Sequence, residues 1–215
     1  MFKLSDSPSI ANKFIAELRD VNVQKDSMRF RKNMERIGEI LAVEISKTLD
    51  FEKKEVETPL GIAEVDLPSD KIVLATILRA GLPMHQGFLN IFDNAGNAFV
   101  SAYRKHHKDG TFEISLEYIS CPDLTDCTLI LCDPMLATGA SITKTIPSLL
   151  ENGKPKKVHI ATIIASADGI ERIQRLYPKI QLWVGAIDEE LTAKSYIVPG
   201  LGDAGDLAFG NKLQE

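Results

Sequence analysis

Leu129 to Ile142 reads LILCDPMLATGASI. An apolar stretch ends on a single carboxylate, Asp133, and Pro134 follows. The next segment, Ala137-Thr138-Gly139-Ala140-Ser141, carries no bulky side chain, and a helical apolar pattern starts at Ile142. Small residues let backbone N–H groups approach a ligand closely, and a glycine such as Gly139 takes positive φ at little cost. The first turn of the helix adds unpaired N–H groups and about half a positive charge. Together these make an anion cradle, to which Thr138, Ser141 and Thr143 add hydroxyls. A phosphate in the cradle, with sugar hydroxyls on the lone carboxylate, is the chemistry that fits. The same five residues also fit an ordinary turn between a strand and a helix, since short motifs match by chance.

Two other nucleotide readings fail. No GxxxxGK followed by Ser or Thr occurs, and Gly153-Lys154 runs into Pro155. Gly200 to Gly205, GLGDAG, matches GxGxxG literally, but the ten residues after it are too few for a βαβ unit. Arg79 directly follows an apolar run and precedes Ala80-Gly81, which favours a functional role over a surface one. Arg104 lies at a strand end, where a charge is common. His106 and His107 are neighbours on an extended segment and point to opposite faces, so a solvated hairpin tip fits better than a metal pair. Trp183 reads as core or subunit contact. No Ser/His/Asp or Cys/His set falls near the cradle, and Cys121, Cys127 and Cys132 have no metal spacing.

The elements that must position these residues are legible as patterns. Ala11 to Asp20 reads as a short helix. In Asp26 to Ser46, Phe30, Met34, Ile37, Leu41 and Ile45 recur on one helical face, with Asp26 or Ser27 as N-cap. Lys71 to Leu78, Cys127 to Asp133, Lys157 to Ser166 and Ile180 to Ile187 are apolar runs of buried strands. Phe112, Ile114, Leu116 and Tyr118 alternate with polar residues, and Asp109-Gly110 suits the turn to the preceding strand, so a hairpin arm is expected. Helical patterns at Ile142 to Leu150 and Asp168 to Tyr177 separate the later strands. The expected fold is α/β, one domain over residues 1–215: an open, mostly parallel sheet flanked by helices. Ligands on such sheets bind beyond the carboxyl ends of the strands, which directs attention to the loops after Leu78, Cys132 and Ile187.

Composition limits the partners. The net charge of −5 and the lack of a basic stripe argue against nucleic acid. Three unpaired thiols suit a reducing cytoplasm. The N-terminal stretch lacks a signal-peptide pattern, and no apolar run is long enough to cross a membrane.

At this point the sequence resembles a known family. Asp133 with PMLATGAS resembles the loop of type I phosphoribosyltransferases that holds 5-phosphoribosyl 1-diphosphate (PRPP). ILRAGL at Ile77, Tyr103-Arg104 and YIVPGLGDAGD at Tyr196 extend the resemblance to the uracil phosphoribosyltransferases. ELRD at Glu17, ETPLG at Glu57 and AIDEEL at Ala186 carry it along nearly the whole chain. The resemblance implies that Asp133, Pro134, Met135, Leu136, Ala137, Thr138, Gly139, Ala140 and Ser141 hold the ribose hydroxyls and 5-phosphate. It implies that Arg79 and Arg104 reach the diphosphate, and that Asp203 contacts PRPP near the reacting centre. Ile197, Gly202, Asp203 and Ala204 would read the uracil edge, mainly through backbone groups, in a hood formed by the chain ends. Asp203, Arg104 and Asp133 are the implied catalytic residues. Also implied are Mg²⁺ held by substrate and water, PRPP and uracil as substrates, a homodimer or higher homo-oligomer, and GTP as an effector to test. The other readings are a pyrimidine-sensing regulator without catalysis and a transferase for another base. The chain departs from the family pattern at Val43, Ala140, Leu207 and Asn211 and through the hairpin segment after Arg104.

Overall fold

A computed structural model describes residues 1–106 and 112–212, with side chains excepted at 102–106 and 112–115. In chain order the strands are β1 (Phe2–Lys3), β2 (Phe51–Thr58), β3 (Gly61–Pro68), β4 (Ile72–Leu78), β5 (Gly96–His106), β6 (Phe112–Ser120), β7 (Thr128–Cys132), β8 (Met135–Leu136), β9 (Lys157–Ser166), β10 (Gln181–Asp188), β11 (Glu190–Leu191) and β12 (Ile197–Val198). The helices are α1 (Ile10–Arg19), α2 (Ser27–Ser46), α3 (Leu82–Ile91), α4 (Ala140–Leu150), α5 (Ala167–Leu176) and α6 (Ala204–Phe209). Among the described residues one sheet runs β1-β10-β9-β7-β4-β5-β6, with β8 also on β9. Every pairing in it is parallel except β5 with β6.

The period of two along the strands divides the core. Leu74, Ile130, Ala161, Ile163 and Trp183 face one side, with Phe30, Met34, Ile37 and Leu41 of α2. Val73, Ala75, Leu129, Leu131 and Ile160 face the other, with Ile142, Ile146 and Leu149 of α4 and Ile170 and Ile173 of α5. Strands covered on both faces carry nearly continuous apolar runs, and β7 is buried throughout. Asp26 caps α2, its Oδ1 accepting from the N–H groups of Met28 and Arg29 at 3.0 Å. Pro147 lies inside α4 and has no N–H for the carbonyl of Thr143; that carbonyl accepts from the Tyr177 hydroxyl at 3.3 Å. Trp183 belongs to the core, its ring tilted against those of Phe2 and His159.

Two features differ from the sequence expectations. The alternation in β6 implies that Tyr118 faces inward. A register shift opposite Ser101 and Ala102 leaves Glu117 as an extra residue. This bulge reverses the phase: Ile119 packs into the core while Tyr118 is 59% exposed. The expected turn at Asp109-Gly110, with His107 and Lys108, lies outside the described residues. The second feature is the antiparallel β2–β3 hairpin, which, like the helix α3, the sequence patterns did not announce. All residues of both strands are exposed, and Leu60 at its tip is 99% exposed.

Candidate active site

The loop between β7 and α4 is fastened to β9 over most of its length. The Asp133 N–H donates to the Ala161 carbonyl at 3.1 Å, and the Pro134 carbonyl accepts from Ile163 and Ile164. Met135 and Leu136 form β8 against Ile164 and Ala165. The Ser166 hydroxyl donates to the Ala137 carbonyl at 2.6 Å and accepts from the N–H of Gly169, capping α5. One serine thus ties the loop to the next helix. Gly169 permits that approach, because a Cβ there would lie 2.2 Å from the Ala137 carbonyl oxygen.

Gly139 caps α4 in the left-handed region, φ 72° and ψ 5°, without a side-chain cap bond. That is the conformation expected of it, and only glycine reaches it cheaply. The positive φ falls on Gly139; Ala140 is the first residue of α4 and is not among the described residues at positive φ. Its methyl group therefore costs no backbone strain. The Thr138 hydroxyl accepts from the Ala140 N–H at 3.3 Å. The Thr143 hydroxyl, expected as a cradle donor, instead donates to the Ala140 carbonyl at 3.0 Å. Asp133 is 9% exposed, and its Oδ1 accepts from the Met135 N–H at 3.3 Å. Beside it, burial pushes the Cys132 thiol far up, and the Asp133 carboxylate adds to the effect. Cys132 is thereby kept as a neutral thiol, unsuited to nucleophilic attack.

The loop after β4 rests on the end of β7. A Cβ on Gly81 would lie 2.1 Å from Thr76 Oγ1 and 3.1 Å from the Cys132 carbonyl oxygen, so glycine is required for this fit. The peptide bond between Leu78 and Arg79 is cis. From this loop Arg79 reaches the C-terminal tail: its Nη2 donates to Asp206 Oδ1 at 3.0 Å and to the Gly210 carbonyl at 3.3 Å. The tail is a turn through Pro199, with Val198-Pro199 cis and Gly200 and Gly202 at φ 54° and 94°. Asp203 caps α6, its Oδ1 accepting from the Asp206 N–H at 3.0 Å, and Lys212 Nζ lies 3.9 Å from its Oδ2. Ile197, Leu201, Ala204 and Ala208 are buried in the core beside α2.

Of the residues singled out in the sequence, Asp133 to Ser141 form one loop beyond β7, and Arg79 lies on the neighbouring loop beyond β4. Ile197, Gly202, Asp203 and Ala204 form the tail that contacts that second loop through Asp206. Ile197 is 5% exposed, and its side chain belongs to the core. Arg104 has its backbone in β5 opposite Ile114; its side chain lies outside those described. The sequence reading assigned no role to Arg19, Gln24, Asp188 or Asp206, and all four hold the tail. The Arg19 guanidinium pairs with Asp188, and both bond Gly200. Gln24 Nε2 donates to the Leu201 carbonyl at 3.3 Å. ELRD and AIDEEL were the available signals, without a chemical reason to join them. Among the described residues no group of three His, Cys, Asp or Glu side chains is placed to hold a metal, and no helix is long and apolar enough to cross a membrane.

Comparison with known proteins covers nearly the whole chain. A family model described as uracil phosphoribosyltransferase matches residues 4–211. A uracil phosphoribosyltransferase of Porphyromonas gingivalis is 55% identical over 206 residues, covering 95% of each chain. One from Pyrococcus furiosus is 39% identical over 217 residues, covering 100% of this chain and 91% of the relative. The solved structure of the AQ2163 protein from Aquifex aeolicus superposes with a TM-score of 0.86 at 30% identity, covering 97% of this chain and 98% of that one. The chain belongs to the uracil phosphoribosyltransferase family.

Proposed function

We propose that the protein transfers the phosphoribosyl group of PRPP to N1 of uracil, giving UMP and diphosphate, a step of pyrimidine salvage. The observation that carries this reading is the family match over residues 4–211, which includes both the cradle loop and the Gly-rich tail. In the reaction the bond from ribose C1 to the diphosphate oxygen breaks, the bond from C1 to uracil N1 forms, and the N1 proton passes to water. Positive charge develops on the ribose ring and negative charge on the leaving diphosphate. Residues 138–141 bind the 5-phosphate at the start of α4, where N–H groups and the helix dipole favour an anion. Asp133 accepts from the ribose hydroxyls and orients the ring. Arg79 meets the diphosphate after releasing Asp206, and Arg104 is assigned to the same anion by family resemblance alone. Positioned charges of this kind stabilise the departing group more strongly than water does. Asp203 sits at the reacting centre, and the backbone groups of Ile197, Gly202 and Ala204 pair with the alternating donors and acceptors of uracil. Binding N1 in line behind C1 supplies the remaining acceleration.

The donor set suits a cation that arrives on the substrate. The cradle offers one carboxylate, Asp133, backed by a neutral thiol at Cys132, and Mg²⁺ prefers phosphate oxygens, water and one or two carboxylates. When bound it neutralises charge on the leaving diphosphate. The protein also works as at least a homodimer in this reading, supported by the exposed β2–β3 hairpin with Val56, Val65 and Leu67 on one face. The three free thiols support a reducing, cytoplasmic setting.

The test is diphosphate release from Mg–PRPP with uracil, cytosine, orotate and hypoxanthine offered separately. Turnover with uracil alone is expected; turnover with hypoxanthine alone overturns the base assignment. Asp203→Asn retains an acceptor for the Asp206 N–H and so keeps the α6 cap. It is expected to lose at least about 100-fold in kcat, and unchanged turnover would remove Asp203 from the reacting centre.

A further inference from the structure

Two sequence motifs, ELRD and AIDEEL, take no part in the mechanism above, yet the fold brings one residue of each into a single hydrogen-bonded unit. Arg19 closes α1 and Asp188 closes β10. Arg19 Nη1 donates to Asp188 Oδ2 at 2.7 Å and Nη2 to Oδ1 at 2.8 Å, a bidentate pair. The same Nη1 donates to the Gly200 carbonyl at 2.9 Å, and the Gly200 N–H donates to Asp188 Oδ2 at 2.9 Å. Both polar groups of one residue in the tail turn are therefore held by one ion pair. Asp188 is 7% exposed. Gln24 adds a third tie, its Nε2 bonding the carbonyls of Leu18, Arg19 and Leu201. Gly200 is itself confined, since a Cβ there would lie 2.1 Å from the Ile197 carbonyl oxygen.

We infer that Arg19 and Asp188 are positioning residues that aim the base-recognising turn, a conclusion that rests on the proposed transfer to uracil. The turn departs from Ile197 and reaches Gly202 five residues later, and recognition there depends on backbone N–H and C=O groups. Such groups lack side-chain rotamers with which to correct a misplacement. A site of this kind works only when its support holds it within about 0.5 Å, and a misplacement of about 1 Å costs about 100-fold. Gly200 lies midway between the outermost reading groups. A guanidinium and a carboxylate that fix its N–H and C=O at once define both the height and the tilt of the turn. The phosphate cradle is fastened separately, to β9 and α5 through Ser166. Loosening the ion pair therefore bears first on the base and leaves the 5-phosphate cradle in place.

The experiment measures steady-state kinetics of Arg19→Lys and of the double variant Arg19→Met/Asp188→Leu, with uracil and PRPP varied in turn. Lysine keeps the charge and loses the fork; the double variant removes both charges and leaves no lone buried carboxylate. Both are expected to raise the KM for uracil about 10- to 100-fold, hold the KM for PRPP within about twofold, and accept cytosine more readily relative to uracil. A melting temperature that falls while the ratio of the two KM values stays that of the wild type makes the pair a stability feature only and overturns the inference. Equal rises in both KM values overturn it as well. A wild type inert toward uracil overturns the reading of function and the inference with it. A wild type active on uracil, with Arg19→Lys kinetically identical, overturns the positioning role alone.

Discussion

His159 on β9 is 2% exposed and faces Trp183, whose Nε1–H donates to its Nδ1 at 3.0 Å. The ring proton therefore resides on Nε2, which has no hydrogen-bond partner. Charging the ring would place a second proton on Nδ1, turn it against the Trp183 donor, and bury a cation. Burial is the main cause that holds the pKa down; the Lys157 ammonium lowers it further, and Asp70 offsets part of this, leaving it at about 4. The unfolded chain has its imidazole near 6.5. Between these values the unfolded state binds a proton that the native state refuses, so stability is fully present above pH 6.5 and drains away as pH falls to 4. At about 1.4 kcal/mol per pH unit the loss is about 3 kcal/mol. His159→Gln keeps an acceptor for Trp183 and does not titrate. Urea unfolding of both proteins between pH 7.5 and pH 4, followed by circular dichroism at one protein concentration, isolates the effect. His85 is also held below its ordinary value by burial, and it cancels in the comparison. The wild type is expected to lose about 3 kcal/mol more than the variant. Parallel loss in the two proteins would refute the reasoning.

Two further predictions concern packing. A Cβ on Gly87 of α3 would lie 2.0 Å from the Glu35 carbonyl oxygen and 2.9 Å from the Glu39 nitrogen of α2, so the two helix backbones meet at that position. Gly87→Ala gains about 1 kcal/mol of helix propensity and forces the helices apart, for a net destabilisation of about 1–3 kcal/mol; a melting temperature at or above that of the wild type contradicts this. In the β2–β3 hairpin, Val65 and Leu67 share a face with Val56. The wild type is expected to sediment as a dimer or larger species, and Val65→Glu/Leu67→Glu as a smaller one; an unchanged sedimentation coefficient removes the hairpin from the subunit contact.

The strands of the parallel sheet were legible because they are buried on both faces. Between their end residues, Lys71 to Leu78 is interrupted only by Thr76, and Lys157 to Ser166 only by His159 and Thr162, so each reads as a nearly continuous apolar run. A cap at Asp26 or Ser27 before the periodic stripe of α2 was equally visible, because capping is a local interaction; the structure selects Asp26, which bonds the residues two and three positions on. That Gly139 can take positive φ is also legible locally, because it needs only a residue without a Cβ; the φ of 72° is what the fold selects. The bulge in β6 was not legible, because the alternation of Phe112 to Tyr118 is unbroken in sequence and only pairing with Ser101 and Ala102 reverses its phase. The β2–β3 hairpin escaped notice because its strands mix Glu and Lys with apolar residues and no core in its own chain selects a face.

For the candidate site, sequence alone determined the chemistry each loop could offer: a carboxylate before small residues at Asp133 to Ser141, an Arg after a buried strand at Arg79, and a Pro/Gly turn at 199–205. Tertiary structure decided what holds those loops in place. Arg19, Asp188 and Gly200 are separated by 169 and 12 positions, and Arg79 is 127 positions from Asp206. A charged residue reads the same in sequence whether water or a distant partner surrounds it. Its pairing depends on which strand and helix ends the sheet order brings together, so only the folded chain reveals it.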